Sequence, residues 1–398
     1  MAETETAQAT KPDLKKSTTR RLSTLDGTRA IAALGVLVFH CAASLHLFTS
    51  VGGPLRYVFA MIQNLGNFGV AVFFVLSGYF LFREFVRKLL FDGRQTPIAH
   101  YFERRFLRIY PAYWVALVAY LIIFGAASLR GGLFGLLTLT ERQFSNSVFS
   151  GMPITWTLYI EVTFYFFVPI FSLVLWLVCR RRDSSIRASI VLGSLVGLVV
   201  AAHVWIGVVI SVVPVEFKIR LLMNLPAYLG WFAAGMALSV ASVWVSENRS
   251  LPHPIGQLVD HPMACWAISL AAYIAVVVTE WSFQIDGTLA HEPTLMLQTR
   301  MFLQGAAAMF FVLPMAIGRR TSRSHSIVGA RPLAWVGVIS YGVYLWHPIL
   351  IVQVMERLGV SPNIGGFLLL VAVVMPGAIV IGWLSFRIIE KPALSYAR

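Results

Sequence analysis

Long apolar runs alternate with short polar connections along almost the whole chain. A helix that crosses a bilayer needs about 20 mostly apolar residues. Ten runs meet that length, at 25–48, 57–82, 106–129, 153–178, 189–213, 219–244, 263–281, 298–317, 333–354 and 363–389. The pattern predicts an all-α polytopic membrane protein with about ten transmembrane helices in one bundle. No polar stretch is long enough for a second domain, and no fixed-period repeat occurs. Residues 21–398 therefore read as one membrane domain. The polar, apolar-poor segment 1–20 reads as a disordered cytoplasmic tail. It is not a signal peptide, because the apolar run after it is too long and opens with charged residues.

Composition agrees with the pattern. With 58% hydrophobic and 13% charged residues over 398 positions, the chain is no ordinary soluble domain. A net charge of +14 would suit nucleic acid, but the basic residues sit in short loops between apolar runs, where they act as orientation signals. With the N-terminus inside, 24 of the 32 Lys and Arg fall on the cytoplasmic side. Seven, Arg300 among them, fall on the other. Both termini are expected in the cytoplasm. Cys41, Cys179 and Cys265 lie in or beside apolar runs without CxxC spacing, so they read as buried thiols.

The chemistry lies where charge interrupts the runs. The first, LDGTRAIAALGVLVFHC, holds Asp26, Arg29 and His40. A charge at the bilayer centre costs about 2.5–3.5 kcal/mol on insertion scales, so such residues usually face a protein-lined cavity. Arg29 and His40 are eleven residues apart, which returns to within about 20° of one helix face, about 16 Å further along the axis. Counted at 1.5 Å per residue from the span ends, His40, Glu161 and His347 lie about 22, 18 and 21 Å from the cytoplasmic edge. The three are expected to share one deep chamber.

A second group sits at the inner face. Arg29 is within about 6 Å of that edge. Arg105 and Arg108 in RRFLRIYP are three apart, on one face, and paired guanidinium groups suit a phosphate. Ser77 and Gly78, closing FFVLSGY, allow close backbone approach at the same level. The picture is an anion-binding mouth leading to a His and Glu chamber.

The ordered set LDGTRAIAALGVLVFH, FFVLSGYF, RRFLRIYP, WTLYIEVTFY and ISYGVYLWHP resembles the bacterial acyltransferase-3 family of integral membrane O-acyltransferases, from Leu25 to Pro392. The resemblance implies transfer of an acyl group, commonly acetyl, from cytoplasmic acyl-coenzyme A to a hydroxyl on a glycan, glycolipid or small molecule. It also implies a multi-pass protein of the bacterial inner membrane. Several such proteins carry an SGNH hydrolase-like domain after the membrane part. With the chain ending at Arg398, that domain is expected to be absent.

Each candidate role has a plainer counterpart. His40 reads as the general base for the acceptor hydroxyl, against a buried histidine bonded to a backbone carbonyl. Arg29 reads as a phosphate or carbonyl ligand, against an ion pair with Asp26, which would orient it or cap the helix. Arg105 and Arg108, with Ser77 and Gly78, read as the acyl-coenzyme A site, against positive-inside anchors. Glu161 assists His40 or binds the acceptor, against a helix-to-helix hydrogen bond. Trp156, Tyr165 and His347 read as acceptor-binding, although His347, before Pro348, could equally stabilise a kink. Tyr341 and Tyr344 read as packing groups, and Glu390, Lys391 and Pro392 as a cytoplasmic cap or ion-pair site. His46, His100, His203, His253, His261, His291 and His325 show no HExxH or paired-ligand spacing, so no metal is expected. There is no GxSxG elbow and no P-loop.

The expected function is therefore membrane O-acyl transfer to a cell-envelope glycan or glycolipid. One rival is an O-acyltransferase acting on a small molecule such as a macrolide. Another is a transporter that forms no ester, against which stands the missing inverted repeat. The sequence carries no signal for oligomeric state.

Overall fold

A computed structural model describes residues 12–94, 96–125, 133–140, 152–282, 293–318 and 323–396. Every regular element among them is helical, as lipid requires of a backbone that must bond to itself. In chain order these are α1 (Pro12–Ser44), α2 (Leu47–Ser50), α3 (Leu55–Phe91), α4 (Ile98–Phe124), α5 (Leu133–Thr138), α6 (Thr155–Cys179), α7 (Ser184–Val212), α8 (Val215–Leu222) and α9 (Leu225–Ser246). They continue with α10 (His253–Asp260), α11 (Pro262–Ser282), α12 (Thr294–Ile317), α13 (Arg323–Val328), α14 (Arg331–Val338), α15 (Ser340–Leu358) and α16 (Ile364–Ser385). A π-helical turn (Phe386–Glu390) and α17 (Lys391–Tyr396) end the described chain. Of the segment expected to be disordered, residues 1–11 lie outside the described residues, and from Pro12 the backbone is already in α1.

Nine described helices are long and apolar enough to cross a bilayer. A tenth candidate crossing is broken: α14 and α15 meet at 71°. The run 333–354, read as one span, is therefore two helices meeting at Ile339.

The central post is α3. Its 37 residues make it about 55 Å long, and 67% of its apolar window is buried, against 22% for α7 and for α11. It packs on α1, α9, α12 and α6. Glycines set a close crossing on it. A Cβ at Gly78 would strike the Phe232 carbonyl, and one at Gly235 the Val75 carbonyl, so α3 and α9 approach backbone to backbone there.

Two buried polar sites fix the frame. Arg187 donates to the carbonyls of Arg180 and Arg182 at 2.6 and 2.7 Å and pairs with Asp92 at 2.8 Å. It thereby ties the α6–α7 turn to the end of α3. Arg300, counted with the outer face in the charge tally, lies inside α12 and pairs with Glu280 at 3.3 Å, and Asn64 of α3 donates to the same carboxylate at 2.7 Å. A buried charge is tolerated because it is paired and hydrogen-bonded.

Candidate active site

Helices α1, α3, α4, α6 and α15 line a partly open cavity with room for about 80 Å³ of water-sized ligand atoms. Two cations reach it. Arg29 donates to Asp26, one turn earlier on α1, at 2.8 Å, and its guanidinium lies 4.7 Å from the centre of the Phe80 ring. Arg108 lines the same cavity and has no hydrogen-bond or ion-pair partner among the described residues. Arg105 is held elsewhere: Glu84 of α3 accepts from both Arg104, at 2.6 Å, and Arg105. Sequence spacing puts Arg105 and Arg108 on one face, but Glu84 captures the first and leaves the second unpaired.

The rest of the polar lining is acidic and hydroxylic. Glu161 accepts from Ser77 Oγ at 3.1 Å and from the Tyr165 hydroxyl at 2.9 Å. The hydroxyls of Thr157 and Tyr344 meet at 2.6 Å, and Tyr341 donates to the Ile109 carbonyl at 2.8 Å. Gly78, next to Ser77, is turned to α9 and serves the helix crossing. Trp156 packs on Tyr228, ring centres 5.6 Å apart, and is not part of the cavity wall.

His40 and His347 form a separate pair beside this cavity. His347 Nε2 lies 3.1 Å from His40 Nδ1, which is also 3.0 Å from the Val36 carbonyl. His347 is fully buried and His40 half-buried. Tyr344, a cavity-wall residue, has its ring 5.8 Å from that of His347, so it borders both pair and cavity. Glu161 bonds to neither histidine. Depth estimates grouped all three, but depth is one coordinate, and the rotation of each helix decides which neighbours meet.

Several contributors had no separate sequence signal. Tyr341, Tyr344, Thr157 and Ser340 line the cavity, although hydroxyls in apolar helices read as packing groups. Glu390, read as a cap, is 2% exposed in the π-helical turn, accepts from Ser385 Oγ at 3.5 Å and is within electrostatic reach of Arg108. Its clue was a carboxylate directly after the last apolar run; π turns often mark functional positions. Among the described residues no group of three or more His, Cys, Asp or Glu could hold a metal ion.

All cavity-lining residues except Val70 come from the five sequence motifs, one motif per helix wall. A family model described as an acyltransferase domain matches residues 22–384. The chain belongs to the acyltransferase-3 family. It is 27% identical to the peptidoglycan O-acetyltransferase OatA of Listeria monocytogenes, over 92% of this chain and 55% of that protein. It is 25% identical to nodulation protein 10 of Rhizobium leguminosarum, over 93% of this chain and 92% of that one. With the exopolysaccharide production protein ExoZ of Rhizobium meliloti it shares 27% identity, over 84% and 92% of the two chains. This acyltransferase-3 chain thus spans about half the length of OatA and most of the other two. No solved structure matches it.

Proposed function

We propose that this protein is a membrane O-acyltransferase that moves an acyl group, acetyl in the first instance, from cytoplasmic acyl-coenzyme A to a hydroxyl of a cell-envelope glycan or glycolipid. It would sit in the bacterial inner membrane with both termini cytoplasmic. The observation that carries the reading is the cavity wall: Arg108, with no hydrogen-bond or ion-pair partner among the described residues, lines the same cavity as Glu161, and the ring of His347 lies 5.8 Å from that of Tyr344, another wall residue. Similarity to a peptidoglycan O-acetyltransferase, OatA, and to an exopolysaccharide production protein, ExoZ, supports a glycan acceptor.

Guanidinium N–H groups bind phosphate and other anionic oxygens well, so Arg108, with Arg29, takes the polar part of the donor. Arg29 and His40 are separated by about 16 Å along α1, a span that an extended chain such as the pantetheine arm bridges. At His40 the imidazole takes the acceptor hydroxyl proton as the oxygen attacks the thioester carbonyl carbon. The carbon–sulfur bond then breaks, and the imidazolium returns the proton to the departing thiolate. Glu161 already accepts two hydrogen bonds and retains lone pairs for a substrate O–H or N–H.

Labelled acetyl-coenzyme A supplied to sealed inside-out vesicles tests this reading. Alkali-labile label in the glycan or lipid fraction is the expected result. Movement of an acceptor across the membrane without ester formation would contradict it, and label confined to a small soluble acceptor would overturn the glycan assignment.

A further inference from the structure

The two imidazoles that meet at 3.1 Å leave few ways to place their protons. Nδ1 of His347 lies 3.3 Å from the Val343 carbonyl, with the Tyr344 carbonyl also in reach. Pro348, four residues after Tyr344, has no N–H to donate to that second carbonyl. A carbonyl oxygen only accepts, so Nδ1 of His347 carries the proton and its Nε2 presents a lone pair. Facing it, Nδ1 of His40 stands between two acceptors, that lone pair at 3.1 Å and the Val36 carbonyl at 3.0 Å. It must donate. A neutral imidazole has one N–H, so Nε2 of His40 is unprotonated, and no described residue bonds to it.

We propose that His347 is a positioning residue that locks His40 into the tautomer whose Nε2 is free to take a proton, with the Val343 carbonyl holding His347 in turn. This rests on the reading of His40 as the base for acyl transfer. The pair does what a carboxylate does behind the histidine of a serine-protease triad, using a neutral group that costs less than a charge to hold in a membrane interior. When the acceptor O–H bond breaks and an N–H bond forms at His40 Nε2, the Nδ1–H is already bonded to His347 and Val36. The imidazolium is therefore hydrogen-bonded as it forms, and the same proton leaves later on the thiolate sulfur.

Solid-state ¹⁵N NMR of histidine-labelled full-length protein in lipid bilayers tests the lock, with His40→Gln and His347→Gln spectra assigning the signals. The expected neutral-pH spectrum shows His40 with Nδ1 protonated and Nε2 bare. A protonated Nε2 on neutral His40 overturns the proposal whatever the activity. In acetyl-transfer kinetics, His347→Leu is expected to lower kcat by about tenfold or more without raising KM for acetyl-coenzyme A. His347→Gln, whose amide oxygen can accept from His40, should recover part of the loss. Wild-type kcat in His347→Leu overturns the positioning role. A wild type that forms no ester sinks the acyltransferase reading alone, since the spectrum decides the tautomer separately.

Discussion

Arg105 and Arg108 sit one turn apart on α4, yet only Arg108 reaches the cavity, because Glu84 holds Arg105. Arg108→Ala is therefore expected to raise KM for acyl-coenzyme A roughly ten- to a hundredfold, the equivalent of losing a charge-assisted hydrogen bond of about 1.5–3 kcal/mol. Arg105→Ala should change it far less. Steady-state kinetics on the two variants decide the matter, and the reverse order would move the donor site to the Glu84 side. The sequence could pair Arg29 with Asp26, because partners three apart on a helix must be neighbours. It could not foresee Glu84, which comes 21 positions before Arg105 on another helix, nor that Glu161 would turn to Ser77 and Tyr165 instead of His40. His40 and His347 were legible as functional candidates at equal depth; their contact needed the third dimension.

Among the elements, the crossing of α3 and α9 is a tight constraint on the frame around the cavity. Alanine is favoured over glycine inside a helix by about 1 kcal/mol, but overpacking a close contact costs about 1–3 kcal/mol. The Cβ of Gly235→Ala would run into the Val75 carbonyl, so the second effect should win. A thermal melt in detergent is expected to show a lower midpoint than wild type, and a higher one would mean that the helices do not cross so closely. At the end of α3, the Arg187 guanidinium hydrogen-bonded to Asp92 holds that carboxyl below its ordinary range. A depressed folded-state value gives stability that is present above the unfolded carboxylate pKa, about 4, and is lost as pH falls through the folded value. Asp92→Asn should therefore melt lower than wild type at neutral pH, and the gap should close in acid. A gap that persists there would show that the contact does not depend on charge. Hydropathy found the membrane runs because length and apolarity are local properties. It read 333–354 as one span because a 71° bend between α14 and α15 leaves apolar composition unchanged.

For the whole molecule, the order of five motifs along the chain becomes five walls of one cavity, which is why the family was legible before any contact was known. The acceptor was not legible, since it depends on side chains packed from different helices. The proposed orientation, with both termini cytoplasmic, rests on the basic loops; protease cleavage of terminal tags in inside-out but not right-side-out vesicles is the expected outcome, and the opposite would invert the route proposed for the donor. The most direct test of the central claim is acetyl transfer from radiolabelled acetyl-coenzyme A to the lipid and glycan fraction of membranes, comparing wild type with His40→Ala at matched amounts of folded protein. Label that appears with wild type and is lost with His40→Ala is the result this account requires. Label that persists near the wild-type level in His40→Ala would contradict it, because the base and the imidazole pair behind it would then play no part in the reaction.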